Sequence, residues 1–261
     1  MKRPQAWLAE EFAPPSRPDT MFEERGYRRG FKNVAGLDEV GRGPWAGPVV
    51  AGAVILPKGL THPDIRDSKM VPAAKREELA QWIKQEAISW AIGVIGSEEI
   101  DRINILRASL MAMSVAFGRL EPRPDLLLID GSHTIPLPFL IEQQNDEAIE
   151  SIARQNPRPR IFAPSQTGLP RQTAIVKGDA VCLSIAAASI LAKVARDQIM
   201  SEMGERYPDY GFAKHKGYGS EGHADALDRL GPSPIHRRSF SPVWRAFQRS
   251  AGAAPAPLFD E

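Results

Sequence analysis

Two apolar runs, Val34–Asp38 and Val49–Leu56, flank the segment E-V-G-R-G-P-W-A-G-P, and this pairing constrains the fold more than any other stretch. Both runs are rich in valine, alanine and glycine, and a strand pair with a glycine-rich connection is the simplest reading. Trp90–Ile95, the run L-L-L-I-D ending at Asp130, and Thr173–Val176 read as further strands. Helical spacing follows Pro72 through Leu79, Trp82, Ile83 and Ala87, and recurs over Asn104–Leu120, from about Ala180 to Glu205, and near His223–Leu230. Elements in this order predict a three-layer α/β domain whose first two strands form a hairpin, so that the central sheet is mixed and flanked by helices.

A chain of 261 residues, 43% of them hydrophobic, suits one sizeable domain or two small ones. No apolar run approaches the roughly 20 residues of a membrane helix, and the N-terminus lacks the apolar stretch of a secretory signal. A soluble, cytoplasmic monomer with no membrane partner is expected. One cysteine, Cys182 in an apolar helical pattern, excludes an intramolecular disulfide and a thiolate metal cluster. A net charge of +1 argues against coating nucleic acid by bulk charge but leaves room for a local basic face. Residues 1–32, rich in charge and proline, are expected to form an extension, at most partly ordered, outside the core. Residues 132–171 look like a polar surface insertion with a short helix at Glu142–Arg154, and 249–261 like a flexible tail.

Three of the strands end at carboxylates: Asp38 with Glu39, Asp130, and Asp179 just beyond the last. Ligands collect at strand ends in open α/β sheets, and several acids gathered there repel one another unless a cation shares the site. Oxygen ligands without cysteine or clustered histidine favour Mg2+ or Mn2+, and two such ions support phosphoryl chemistry. Acids at strand ends are also common caps and turn formers, a reading strongest for Asp179. Asp38 and Glu39 point to opposite faces unless the strand ends or bulges there, or Glu39 contributes from one side or through its carbonyl. Gly41, Arg42 and Gly43 offer bare backbone to a phosphate or sugar hydroxyl, although G-x-G is most often only a turn. Lys214, His215, Lys216, His236, Arg237 and Arg238, with Tyr218 among them, suit phosphate contact and stacking, or equally a solvated loop.

The ordered blocks G-L-D-E-V-G-R-G-P-W-A-G-P-V-V-A-G-A-V, D-S-K, N-I-L, L-L-L-I-D-G, V-K-G-D, S-I-A-A-A-S-I-L-A-K-V-A-R-D, G-F-A-K-H-K-G-Y-G-S and H-R-R-S-F resemble bacterial ribonuclease HII over roughly Asn33 to Gln248. The resemblance implies a ribonuclease H-like catalytic domain over 33–248, ending in a small helical C-terminal segment. It implies an endonuclease that hydrolyses the RNA strand of RNA/DNA hybrids and cuts 5′ of single ribonucleotides embedded in duplex DNA, leaving a 3′-hydroxyl and a 5′-phosphate. Asp38, Glu39, Asp130 and Asp179 would be the catalytic, metal-binding acids, one metal activating water and the other stabilising the leaving oxygen. Gly41, Arg42 and Gly43 would sense the 2′-hydroxyl, and Tyr218 would pack on the neighbouring deoxyribose. Lys69 and the late basic cluster, Lys216 included, would hold phosphates.

Three features depart from that pattern: an added element at about 139–168, Ser220 where threonine is usual, and the long N-terminal extension. Asp197 lies about 27 Å along an ideal helix from Asp179 and reads as structural, or as a support to the site's ligands, rather than as a metal ligand. The terminal P-A-P-L-F faintly resembles peptides that dock on the bacterial sliding clamp, but it lacks their leading glutamine, and plain disorder is favoured. Another metal nuclease or strand-transferase of the same fold, or a non-catalytic hybrid-binding module, are the competing readings; the presence of all four acids disfavours the last.

Overall fold

The computed structural model describes residues 17–142 and 169–251. The Glu142–Arg154 helix, most of the 139–168 insertion and the terminal P-A-P-L-F therefore lie outside the described residues. β1 (Val34–Val40), β2 (Val49–Ile55), β3 (Ser89–Ile95), β4 (Leu126–Asp130) and β5 (Arg171–Ile175) form a five-stranded sheet in the order β3-β2-β1-β4-β5. β1 is antiparallel to β2 and parallel to β4, which is parallel to β5, so the expected hairpin and mixed sheet are present.

The helices are α1 (Met21–Arg28), α2 (Ala73–Glu86), α3 (Ser97–Ile103), α4 (Ile105–Gly118), α5 (Leu137–Glu142), α6 (Leu183–Arg206), α7 (Phe212–His215), α8 (Glu221–Leu230) and α9 (Ser241–Ala251). Among the described residues none is long and apolar enough to cross a membrane. The described residues divide into two compact units, one within Met1–Val40, Val50–Val94 and Ser109–Ala195, the other within Gly41–Val49, Ile95–Ala108 and Arg196–Glu261.

In the first unit the alanine-rich start of α6 lies close on the sheet. A Cβ on Gly36 would enter the backbone at Ser184 and Ile185, and one on Gly52 the carbonyl of Ala188. Ala186, Ala187 and Ile190 of α6 share one core with Val54 of β2 and with Leu79, Ala80 and Ile83 of α2. Burying Leu79 and Ile83 contributes about 1.5–3 kcal/mol each. The segment expected outside the core instead supplies α1: Phe22 and Tyr27 pack against Val34, Leu126, Leu128 and Ile185. Glu23 is buried beneath it, accepting from the Ser184 amide at 2.8 Å and the Cys182 thiol at 3.2 Å. Cys182 is buried.

The second unit has its own cores. Ala46, Met200 and Phe212 make one, and Leu227 of α8 packs with Val243 and Ala246 of α9 in the other.

Candidate active site

Strand register brings the acids together in the first unit. Gly36 pairs with Leu128 and the β1–β4 ladder ends at Leu37 and Ile129, so Asp38 and Asp130 stand one step further on adjacent strands. Residues two apart share a face, so both lie on the face that Gly36 and Leu128 present to α6. Asp38 is only 5% exposed. Burial first, then the charges of Asp130 and Glu39, push its carboxyl well above the ordinary carboxylate range, against a hydrogen bond with Ser189 of α6. Its Oδ1 also accepts from the Glu39 amide at 2.7 Å.

The neighbouring acids do not meet through a bulge. β1 keeps regular pairing with β2 through Glu39–Ala51 and Val40–Val50, so Glu39 leaves on the opposite face from Asp38. Of the routes open to Glu39, approach from one side or through its carbonyl is compatible with this register.

The V-K-G-D block works through its glycine. Lys177 turns the chain in the left-handed region, at φ 56°, and the Gly178 amide donates to Asp130 Oδ1 at 2.6 Å. A Cβ on Gly178 would crowd Ile185 and approach Asp130. Asp179 follows in a 3-10 turn, Gly178–Ala180, ahead of the first residue of α6, and so does not cap that helix. Burial, then Asp130 and Asp67, raise its pKa, while Lys69 lowers it. The D-S-K loop thus lies beside the acids: Asp67 accepts from the Lys69 amide at 3.0 Å, and the Ser68 and Ser189 hydroxyls are 3.0 Å apart. Among the described residues no three His, Cys, Asp or Glu side chains form a ready-made metal cluster. The donor chemistry nevertheless fits a hard divalent cation, because every candidate ligand is a carboxylate and the charges at Asp38 and Asp179 are mutually unfavourable without one.

The second unit holds the G-R-G and H-K-G-Y-G loops. Gly41 is buried at φ +100°, while Arg42 and Gly43 are exposed. Arg237, 0% exposed, donates to three loop carbonyls: Gly47 at 3.0 Å, Arg42 at 2.9 Å and Gly41 at 2.6 Å. Arg196, also 0% exposed, donates to Pro48 at 3.0 Å, Lys216 at 3.1 Å and Ala46 at 3.3 Å. The Trp45 amide donates to Gly217 at 2.8 Å, and a side chain on Gly219 would strike the Trp45 ring. Tyr218 is 43% exposed, its ring 5.7 Å from the Arg196 guanidinium, and the Lys216 ammonium donates to Ser201 Oγ at 2.6 Å.

The expected basic cluster is therefore divided. His236 and Arg237 are buried and cannot face a phosphate, whereas Lys214 and Arg238 are exposed. His223 and His236 share an Nε2–Nε2 hydrogen bond of 2.9 Å, and His223 Nδ1 lies 2.9 Å from the Tyr218 carbonyl. Burial lowers the pKa of His223 to about 4 and of His236 to about 3, so both are neutral at pH 7. Sequence reasoning missed Asp67, Ser68, Ser189 and the inward role of both arginines. A signal for one existed: Arg196 falls between Ala192 and Met200 at helical spacing on a buried stripe.

The family model for ribonuclease HII matches residues 35–243. A ribonuclease HII of Geobacter sulfurreducens is 46% identical over 222 residues, 85% of this chain and 88% of that one. Another, of Caldanaerobacter subterraneus, is 44% identical over 238 residues, 90% and 85% of the two chains. Among solved structures, the ribonuclease H2 of Pyrococcus horikoshii aligns with a TM-score of 0.63 at 23% identity, covering 85% of this chain and all of that one. A Bst-RNase HIII in complex with Mn2+ aligns with a TM-score of 0.55 at 18% identity, covering 87% and 73%.

Proposed function

The chain belongs to the ribonuclease HII family and is an endoribonuclease of RNA/DNA hybrids; from that premise we propose that it also cuts 5′ of single ribonucleotides embedded in duplex DNA, leaving a 3′-hydroxyl and a 5′-phosphate. The observation that carries the catalytic half of this reading is the crowding of Asp130, Glu39 and Asp179 charge on the buried Asp38.

Asp38, Glu39, Asp130 and Asp179 would hold divalent cations, Mg2+ or Mn2+ and two during catalysis; the Mn2+ in the related ribonuclease HIII supports this choice. Bound by these acids, such ions would supply activation of a water at neutral pH and charge stabilisation at the leaving 3′ oxygen. Ser189 orients Asp38, and the Gly178 amide orients Asp130, so both carboxylates are held in place before substrate arrives. Gly41, Arg42 and Gly43 read the 2′-hydroxyl through bare backbone, the feature by which a protein tells RNA from DNA. Tyr218 packs on the adjoining deoxyribose, while Lys69 and Lys216 hold backbone phosphates.

The test is direct. With Mg2+ or Mn2+, a duplex carrying one ribonucleotide should be cut on its 5′ side and the all-DNA duplex left intact; cutting of both, or of neither, sinks the proposal. Asp130→Asn should lower the rate by roughly a hundredfold or more. A related archaeal ribonuclease HII has been solved with the clamp PCNA. Unchanged clamp binding after deletion of Pro257–Glu261 would remove any such role for the tail.

A further inference from the structure

We infer that Arg237, assisted by Arg196, is a positioning residue that aims the amides of Arg42 and Gly43 at the ribose; the inference rests on the ribonucleotide-reading role proposed for the loop.

The geometry follows from the peptide bond. In a trans peptide the carbonyl of one residue and the amide of the next point in opposite directions. The bonds joining residues 41, 42 and 43 are trans. The buried Arg237 guanidinium takes the carbonyls of Gly41 and Arg42, which directs the amides of Arg42 and Gly43 away from it, at the two residues of the motif that are exposed. Adjacent outward amides make a concave donor pair suited to a hydroxyl or phosphate oxygen. A third bond to Gly47 and the Arg196 bonds to Ala46 and Pro48 fix the rest of the loop. Arg196 also takes the Lys216 carbonyl, which ties the loop to the segment carrying Tyr218.

Only a guanidinium fits this duty. It offers five N–H donors in a rigid plane, whereas an ammonium is a point donor on a flexible stem. Burial is the natural cost of the arrangement, and six loop or turn carbonyls divide between the two side chains.

The experiment compares the intact protein with Arg237→Lys, and with Phe212→Leu as a stability control in the same unit. Metal-free affinities are measured for a duplex with one ribonucleotide and for the all-DNA duplex, together with hydrogen exchange across residues 41–48 and the melting temperature. Arg237→Lys should reduce the ribonucleotide preference by roughly tenfold, the loss of one to two hydrogen bonds, and speed exchange in the loop. Phe212→Leu should lower the melting temperature and keep the preference. A preference retained in Arg237→Lys, or lost equally in Phe212→Leu, overturns the inference. Absence of any preference in the unaltered protein instead overturns the ribonucleotide-reading role on which it rests. Should Arg237→Lys fail to fold, Arg196→Lys is read by the same criteria.

Discussion

Ser189 shows how a residue without charge can govern a charged site. Its hydroxyl holds Asp38 and lies 3.0 Å from Ser68, so one group on α6 links the first acid to the D-S-K loop. Ser189→Ala should reduce metal affinity by about 10–100-fold, as loss of a supporting hydrogen bond to a metal ligand usually does. Isothermal titration with Mn2+ checks this, and an unchanged affinity would deny Ser189 that role. The acids themselves were legible from sequence because strand-end carboxylates after apolar runs stand out against their surroundings. Ser189 was not, since a serine in an alanine-rich helix reads as one more small residue until the sheet is placed beneath it.

At the scale of elements, the site depends on how near α6 comes to the strands. Gly52, which pairs with Asp38, has no side chain because the Ala188 carbonyl occupies that space. Gly52→Ala should cost roughly 1–3 kcal/mol or more, since backbone on both sides must move; urea unfolding measures it. In α8 and the turns around it, His223 and His236 give a second outcome. Their folded pKa values, about 4 and about 3, lie below the ordinary value of 6.5. The unfolded chain therefore binds protons that the folded chain refuses as pH falls from about 6.5 toward 4, and stability falls with it. Melting followed from pH 7 to pH 4 should show this decline, and His236→Asn should flatten it. The β1–β2 hairpin and α6 were readable because periodicity and glycine placement are local signals. α1 was not: proline and charge averaged over 32 residues hid an eight-residue helix whose Phe22 and Tyr27 find their partners on β1, β4 and α6.

For the whole molecule, a net charge of +1 means that affinity for nucleic acid must come from a few placed cations. With the proposed Lys69 and Lys216 as phosphate contacts, log affinity against log salt should have a slope of about −2, and Lys69→Ala should reduce its magnitude by about 1. A slope unchanged in that variant would remove Lys69 from the contact set. By itself the sequence determined the mixed sheet and the bare backbone of the G-R-G loop, and it marked the four acids as candidates, because strand periodicity, charge after apolar runs and glycine act over a few residues. Only the tertiary structure decided that β1 runs unbulged past Asp38, and that His236 and Arg237 turn inward while Arg238 stays at the surface. A charged side chain reads alike in sequence whether it meets water or backbone carbonyls; which it meets is settled by residues distant in the chain, such as Gly41 and Gly47 for Arg237.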